Sequence, residues 1–88
     1  MTPQRTVTIC NERGLHARAS AKFVAEADRF DADVSVTRNA ETVTADSALD
    51  LMMLAAGIGS QITIGAAGPD ADAAVEALAD LVERGFDE

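Results

Sequence analysis

The sequence predicts an α+β fold with two layers, in which an antiparallel four-stranded sheet is covered on one face by three helices. Its 88 residues are enough for one modest hydrophobic core, so we expect a single domain over residues 1–88. Four short segments alternate apolar and polar residues, as strands with one solvated face do. Three further segments have helical apolar spacing, and the order strand, helix, strand, strand, helix, strand, helix fits helices packed on one face.

The alternating segments are the predicted strands, and they are TVTI (6–9), DVSVTR (33–38), ETVTA (41–45) and QITIG (61–65). In the first, Val7 and Ile9 lie on one side and the threonines on the other. Asn39 and Ala40 separate the second and third strands and suit a tight turn, because asparagine tolerates positive φ. These two strands are therefore expected to form a hairpin.

The first predicted helix follows the first strand. It runs from Ala17 to about Phe30, since Phe23, Ala27 and Phe30 recur at spacings of three and four beside Val24. This pattern predicts one amphipathic helix.

The other two helices have recognisable ends. Ser47 is a favoured N-cap with Asp50 three places on as a weak capping box, and Gly57 is the expected stop of a short second helix. The third opens at residues 68–70, where proline suits a helix start, and ends at Gly85.

Charge and cysteine content exclude several kinds of function. The formal net charge is −8, and residues 45–88 carry the whole acidic excess. This balance, without Trp or Tyr, argues against nucleic acid. Cys10 is the only cysteine, so neither an internal disulfide nor an all-cysteine metal site is expected, and we expect no cofactor. With no secretion signal and no apolar run long enough for a bilayer, the sequence predicts a cytoplasmic protein that does not bind membranes.

The only histidine lies in GLHARAS, residues 14–20, between a loop and the first helix. His16 therefore lies at or beside an N-cap, where the N–H groups of Ala17, Arg18 and Ala19 favour an anion. The positive end of the helix dipole favours the neutral, nucleophilic imidazole, and Arg18 and Lys22 add positive charge. The arrangement suits a carried phosphate.

Other interpretations of His16 compete with this one. A lone histidine is more often an exposed helix residue beside solvated arginines. A small domain of this class also suits reversible binding of a phosphorylated metabolite at the helix N-terminus. Zinc binding and Ser-His-Asp hydrolysis are weaker, because the chain lacks ligands for the first and a nucleophile turn for the second.

The motif GLHARAS resembles the phosphorylation site of HPr, the histidine-containing phosphocarrier of the bacterial phosphotransferase system. The segment DSALDLMMLAAGIGSQITI (46–64) resembles the second helix and fourth strand of the family. The resemblance implies that His16 accepts phosphate through Nδ1 and that Arg18 neutralises it. It also implies an open-faced sandwich with strand order 1-4-2-3, with enzyme I as donor and A-type enzyme II proteins as acceptors. Such a carrier is a cosubstrate rather than a stand-alone enzyme.

Two positions bear on regulation and branch. Ala19 stands where the family motif usually has proline, so the first turn is less rigid and has one more N–H, and we expect the carrier role to survive. Three segments are similar to those of the nitrogen-related branch of the family, namely ARAS, AKFV and LMMLAAG. Ser47 matches the serine that HPr kinase/phosphorylase modifies in some lineages, although a plain helix cap explains it equally well.

The run LDLMML (49–54) has more apolar residues than one buried stripe requires. By resemblance, Ala48, Leu49 and Met52, extended by Ala21, match the docking patch of the family, whereas a core helix with two methionines is the plainer interpretation. We expect a monomer. The main rival function is an HPr-fold regulatory module that binds proteins through this patch without any relay.

Overall fold

The computed structural model describes residues 2–88 and has the predicted element order. The elements follow in the order β1 (Gln4–Thr8), α1 (Ala17–Ala27), β2 (Asp33–Arg38), β3 (Glu41–Thr44), α2 (Ala48–Met53), β4 (Gln61–Ala67) and α3 (Ala71–Glu83). A short 3-10 turn at Gly85–Asp87 follows α3.

All strands belong to one antiparallel sheet with the order β1-β4-β2-β3, which confirms the predicted topology. The β2–β3 hairpin turns at Asn39, whose φ is 56°, in the left-handed region that asparagine tolerates. The uncovered face is polar, and a threonine pair such as Thr6 and Thr63, with hydroxyls 2.9 Å apart, joins neighbouring strands across it.

The core lies between the other face of the sheet and the helices. Every apolar residue expected in the strands and in α3 is at least partly buried, and the largest fully buried side chains include Phe23, Leu51, Ile64 and Leu78. Phe86, which follows α3, is also fully buried. The segment after α3 is thus part of the core, and it brings the chain back to the start of α1.

Two helix ends differ from the prediction. α1 ends at Ala27 instead of Phe30, because the backbone tightens there into 3-10 hydrogen bonds such as Phe30 N to Ala27 O. α2 ends at Met53 instead of Gly57, because Ala55 adopts a left-handed conformation with φ 54° and supplies the stop itself. Phe30 still packs, partly buried, against the core.

Candidate functional site

His16 is the N-cap of α1. Its backbone is extended, with φ −77° and ψ −179°, and its carbonyl accepts the first helical hydrogen bond from the Ser20 N–H at 2.9 Å. Nδ1 of the imidazole accepts from the backbone N–H of Arg18 at 3.3 Å. The side chain is 20% exposed, so the ring is held in place and remains partly accessible to solvent.

The loop before His16 is fixed against the loop that follows α2. The Leu15 N–H donates to Ala56 O at 3.0 Å, and the buried Ser20 hydroxyl donates to Leu15 O at 3.2 Å. Gly14 has a φ of 61°, and a Cβ added there would lie 2.3 Å from Ala56 O. Only glycine fits this close backbone approach, so the GLH part of the motif reflects packing as well as chemistry.

Glu88 contacts the other edge of the ring. Its Oε2 is hydrogen-bonded to Nε2 of His16, and its Oε1 accepts from Nδ2 of Asn11 at 3.1 Å. The bond to His16 first, and the bond to Asn11 second, lower the pKa of the Glu88 carboxyl below its ordinary value of 4.5. Sequence reasoning assigned neither Glu88 nor Asn11 to the site, and no spacing signal connects them to His16, since Glu88 is 72 positions away.

The segment 85–88, here called the strap, carries Glu88 to the imidazole. Gly85, Phe86 and Asp87 are all left-handed, with φ of 68°, 58° and 62°. Nζ of Lys22 donates to Phe86 O at 2.7 Å, so the ammonium expected to add charge beside Arg18 also fastens the strap to α1. Arg84 pairs with Asp87 at 3.0 Å, which lowers the pKa of that carboxyl.

The predicted phosphate-binding residues gather at the start of α1. Ala17, Arg18 and Ala19 form the first turn, whose N–H groups lie at the positive end of the helix. The Arg18 side chain is exposed, and among residues 2–88 its guanidinium makes no hydrogen bond or ion pair. It is therefore free to follow an anion placed on His16.

The surface beside this site is apolar. Leu49 is 65% exposed and Met52 37%, and α2 packs against α1, on which Ala21 is exposed. Ala48 is half-buried. The structure adds Met53 and Ile58, which are 70% and 60% exposed and which sequence reasoning left out of the patch. We call the residues Ala21, Ala48, Leu49, Met52, Met53 and Ile58 the apolar surface.

Ser47 is the N-cap of α2, as predicted. Its Oγ accepts from the backbone N–H of Asp50 at 3.4 Å, and the side chain is half-buried. Between residues 2 and 88, no helix is both long and apolar enough to cross a bilayer.

Comparison with known proteins gives consistent matches over nearly the whole chain. The family model described as "PTS HPr component phosphorylation site" matches residues 3–84. The chain is 46% identical to the phosphocarrier protein NPr of Shewanella violacea, covering 97% of this chain and 93% of that protein. It is 48% identical to the phosphocarrier protein HPr of Cupriavidus necator, covering 97% and 96%.

The chain is also similar to solved structures of HPr proteins over nearly its whole length. The structure of HPr-C-His from Thermoanaerobacter tengcongensis superposes with a TM-score of 0.93 at 36% identity, covering 98% of this chain and 97% of that one. The structure of HPr from Bacillus anthracis gives 0.87 at 46% identity, covering 92% and 96%.

Proposed function

The chain belongs to the HPr family of phosphocarrier proteins of the phosphotransferase system, and from this premise we propose that His16 carries the phosphoryl group on Nδ1. Proteins of this family work with enzyme I and enzyme II of that system. The proposed donor is enzyme I, charged by phosphoenolpyruvate, and the proposed acceptor is an A-type enzyme II domain. The observation that carries the proposal is the place of His16 as N-cap of α1, where Nδ1 accepts from the backbone N–H of Arg18 in the first turn.

Acceptance needs a nucleophilic nitrogen in a fixed position. The lone pair of Nδ1 attacks phosphorus, the new N–P bond forms, and the bond from phosphorus to the donor breaks, leaving its electron pair with the donor. In the resting state this lone pair accepts a long hydrogen bond from the Arg18 N–H, at 3.3 Å. Such a bond is weak and easily replaced, and after transfer the same N–H can donate to a phosphoryl oxygen.

The phosphoryl group needs neutralising charge once it is bound. The first turn of α1 has no acidic residue, so its positive end is not cancelled locally. An anion at a helix N-terminus is stabilised by about 0.3–1 kcal/mol, and more where it is partly buried. We assign the remaining charge compensation to the exposed Arg18 guanidinium, which forms charge-assisted hydrogen bonds to phosphoryl oxygens.

Onward transfer requires a surface that partners meet briefly. We assign this role to the apolar surface, because α2, which carries most of it, packs against α1, whose N-cap is His16, and because transient complexes use small interfaces. Leu49→Ser and Met53→Ser remove exposed apolar side chains, so they should leave stability nearly unchanged and slow transfer. Ile9→Ser, at a fully buried position, is the contrasting variant, and it should destabilise the fold.

The test is an intact-mass assay after incubation with enzyme I, Mg²⁺ and phosphoenolpyruvate. We expect one acid-labile phosphoryl group on the parent and on Ala19→Pro, which restores the usual family residue, and none on His16→Ala. Arg18→Ala should be phosphorylated more slowly and lose the group faster. Addition of an A-type enzyme II domain should then discharge the parent.

Two results would overturn the proposal. The first is an unsubstituted protein that a cognate enzyme I does not phosphorylate and that binds its partners as tightly as the His16→Ala variant does. This result would favour the regulatory module without a relay. Saturable binding of a phosphorylated metabolite without any change of mass would favour the ligand-binding domain. Sedimentation of the parent should report a monomer, which a relay by docking favours.

A further inference from the structure

The two nitrogens of the His16 imidazole have different partners. The backbone N–H of Arg18 donates to Nδ1, and Nε2 is hydrogen-bonded to Oε2 of Glu88. An ionised carboxylate only accepts hydrogen bonds, so the nitrogen it contacts must carry the hydrogen. Both contacts therefore select the tautomer with hydrogen on Nε2 and a lone pair on Nδ1.

We infer that Glu88 is a positioning residue for phosphoryl transfer, which keeps a proton on Nε2 of His16 so that Nδ1 is the nitrogen that bonds to phosphorus. The inference rests on the proposed role of His16 and adds a residue from the other end of the fold. Glu88 acts through the ring, as the carboxylate of a Ser-His-Asp triad orients its histidine.

Asn11 holds the carboxylate in register with the ring. Its buried amide donates to Gly14 O at 2.9 Å and to Glu88 Oε1 at 3.1 Å, which leaves Oε2 for the imidazole. The opposite amide orientation would place Oδ1 against two oxygen acceptors, so these contacts fix the orientation. Among residues 2–88, no group donates a hydrogen bond to the buried Oδ1, so this orientation of the amide costs free energy.

The strap is built to hold this contact. Phe86 and Asp87 are left-handed without being glycine, a conformation that costs conformational energy and persists only where other contacts enforce it. Burial of Phe86 in the core and the bond from Lys22 to Phe86 O supply that enforcement. The carboxylate of Glu88 therefore reaches His16 from an anchored segment.

A fixed proton on Nε2 simplifies both transfers. When Nδ1 bonds to phosphorus, the ring keeps its Nε2 hydrogen and gains positive charge, which the Glu88 carboxylate offsets. When the N–P bond breaks toward the acceptor, its electron pair returns to Nδ1, and the ring leaves as the same neutral tautomer. Neither step then requires a proton to enter or leave the ring.

Because the chain has one histidine, ¹⁵N-histidine labelling reports His16 alone. We would compare the parent with Glu88→Gln, and with Asp87→Asn as a control that removes the same charge one position earlier, where the partner is Arg84. A glutamine amide can accept from Nε2–H or donate to bare Nε2, so it no longer selects one tautomer. At about pH 8.5, where imidazoles are neutral, the ratio of Nε2–H to Nδ1–H should fall about tenfold in Glu88→Gln and stay unchanged in Asp87→Asn.

A second measurement uses the phosphorylated proteins. The charged groups on the preceding loop, on α1 and on the strap are Glu12, Arg13, Arg18, Lys22, Glu26, Asp87 and Glu88, and of these only Glu88 bonds to the ring through its side chain. The Nε2–H of the phosphorylated ring should exchange with solvent faster in Glu88→Gln than in the parent, because the carboxylate that accepts its hydrogen bond is gone, and at the rate of the parent in Asp87→Asn.

The outcomes separate this inference from the proposed function. An unchanged tautomer ratio in a folded, phosphorylatable Glu88→Gln protein would overturn the role of Glu88 and leave His16 as the carrier. An equal change in Asp87→Asn would also overturn it, since the effect would then belong to the strap or its charge. A parent that enzyme I does not phosphorylate would instead overturn the proposed function, whatever its tautomer.

Discussion

Gly14→Ala tests whether the loop before His16 is held by a close backbone approach. An alanine with φ near 61° costs about 1–2 kcal/mol relative to glycine. Its Cβ would also lie 2.3 Å from Ala56 O, so the two loops must separate and the Leu15 N to Ala56 O bond must lengthen. Overpacking of this kind costs about 1–3 kcal/mol, so the total expected loss is about 2–5 kcal/mol of unfolding free energy.

The neighbouring glycines divide this loss into its causes. Gly57→Ala has neither strain nor contact, because its φ is not left-handed and no other atom of the described residues 2–88 lies within 4 Å of the added Cβ. It should stay within about 0.5 kcal/mol of the parent. Gly59→Ala has strain without contact, since φ is 86° and its added Cβ likewise lies more than 4 Å from its neighbours in the described part of the chain. It should lose about 1–2 kcal/mol.

Urea unfolding at constant m value measures all of these variants. A loss in Gly14→Ala no larger than that in Gly59→Ala would refute the argument, because the approach to Ala56 would then cost nothing. Phosphoryl acceptance from enzyme I should fall in Gly14→Ala and persist in the other two, since only the first moves the backbone on which His16 is placed.

Three further predictions follow from single features of the structure. Ala55→Gly should stabilise the fold by about 1 kcal/mol in urea, because φ at this position is 54°. Ser47→Ala should cost about 1 kcal/mol through loss of the α2 cap, and incubation of the parent with HPr kinase and ATP tests whether that serine is also modified. The pKa of the Glu88 carboxyl is lowered in the folded protein. Its contribution to stability is therefore present above the ordinary pKa of 4.5 and is lost as the pH falls through the lowered folded pKa. The melting temperature of Glu88→Gln should accordingly depend less on pH in acid than that of the unsubstituted protein.

Local patterns predicted the elements well because the information lies within a few residues. Alternation at Val7 and Ile9 predicts a strand, and Asn39 predicts the hairpin turn, from sequence alone. The predicted ends of α1 and α2 were wrong, and the reason for this is also physical. Ala55 takes the left-handed position that glycine usually fills, so the expected stop at Gly57 came two residues late.

The site was predictable only in the part that is contiguous in sequence. GLHARAS contains His16 and the helix start, so both were found together. Glu88 reaches the ring through three successive left-handed residues, Gly85, Phe86 and Asp87. Of these, only glycine is a residue type from which a left-handed conformation would be predicted. Asn11 similarly reads as an ordinary loop residue, and its role depends on burial that no local pattern reports.

The two halves of the proposed chemistry are held very differently. The His16 ring is fixed by the helix cap on one side and by Glu88 on the other, and the loop beneath it is fixed by Ala56. Arg18, by contrast, is exposed and has no side-chain partner among residues 2–88. A carrier must present the same nitrogen to a donor and to an acceptor, whereas the oxygens of its phosphoryl group meet different surroundings in each complex. A rigid nucleophile with an adaptable counter-charge satisfies both requirements. Fixing Nδ1 lowers the barrier of both transfers, because the attacking and leaving nitrogen is the same atom in each. A fixed guanidinium would match the phosphoryl oxygens in only one of the two complexes.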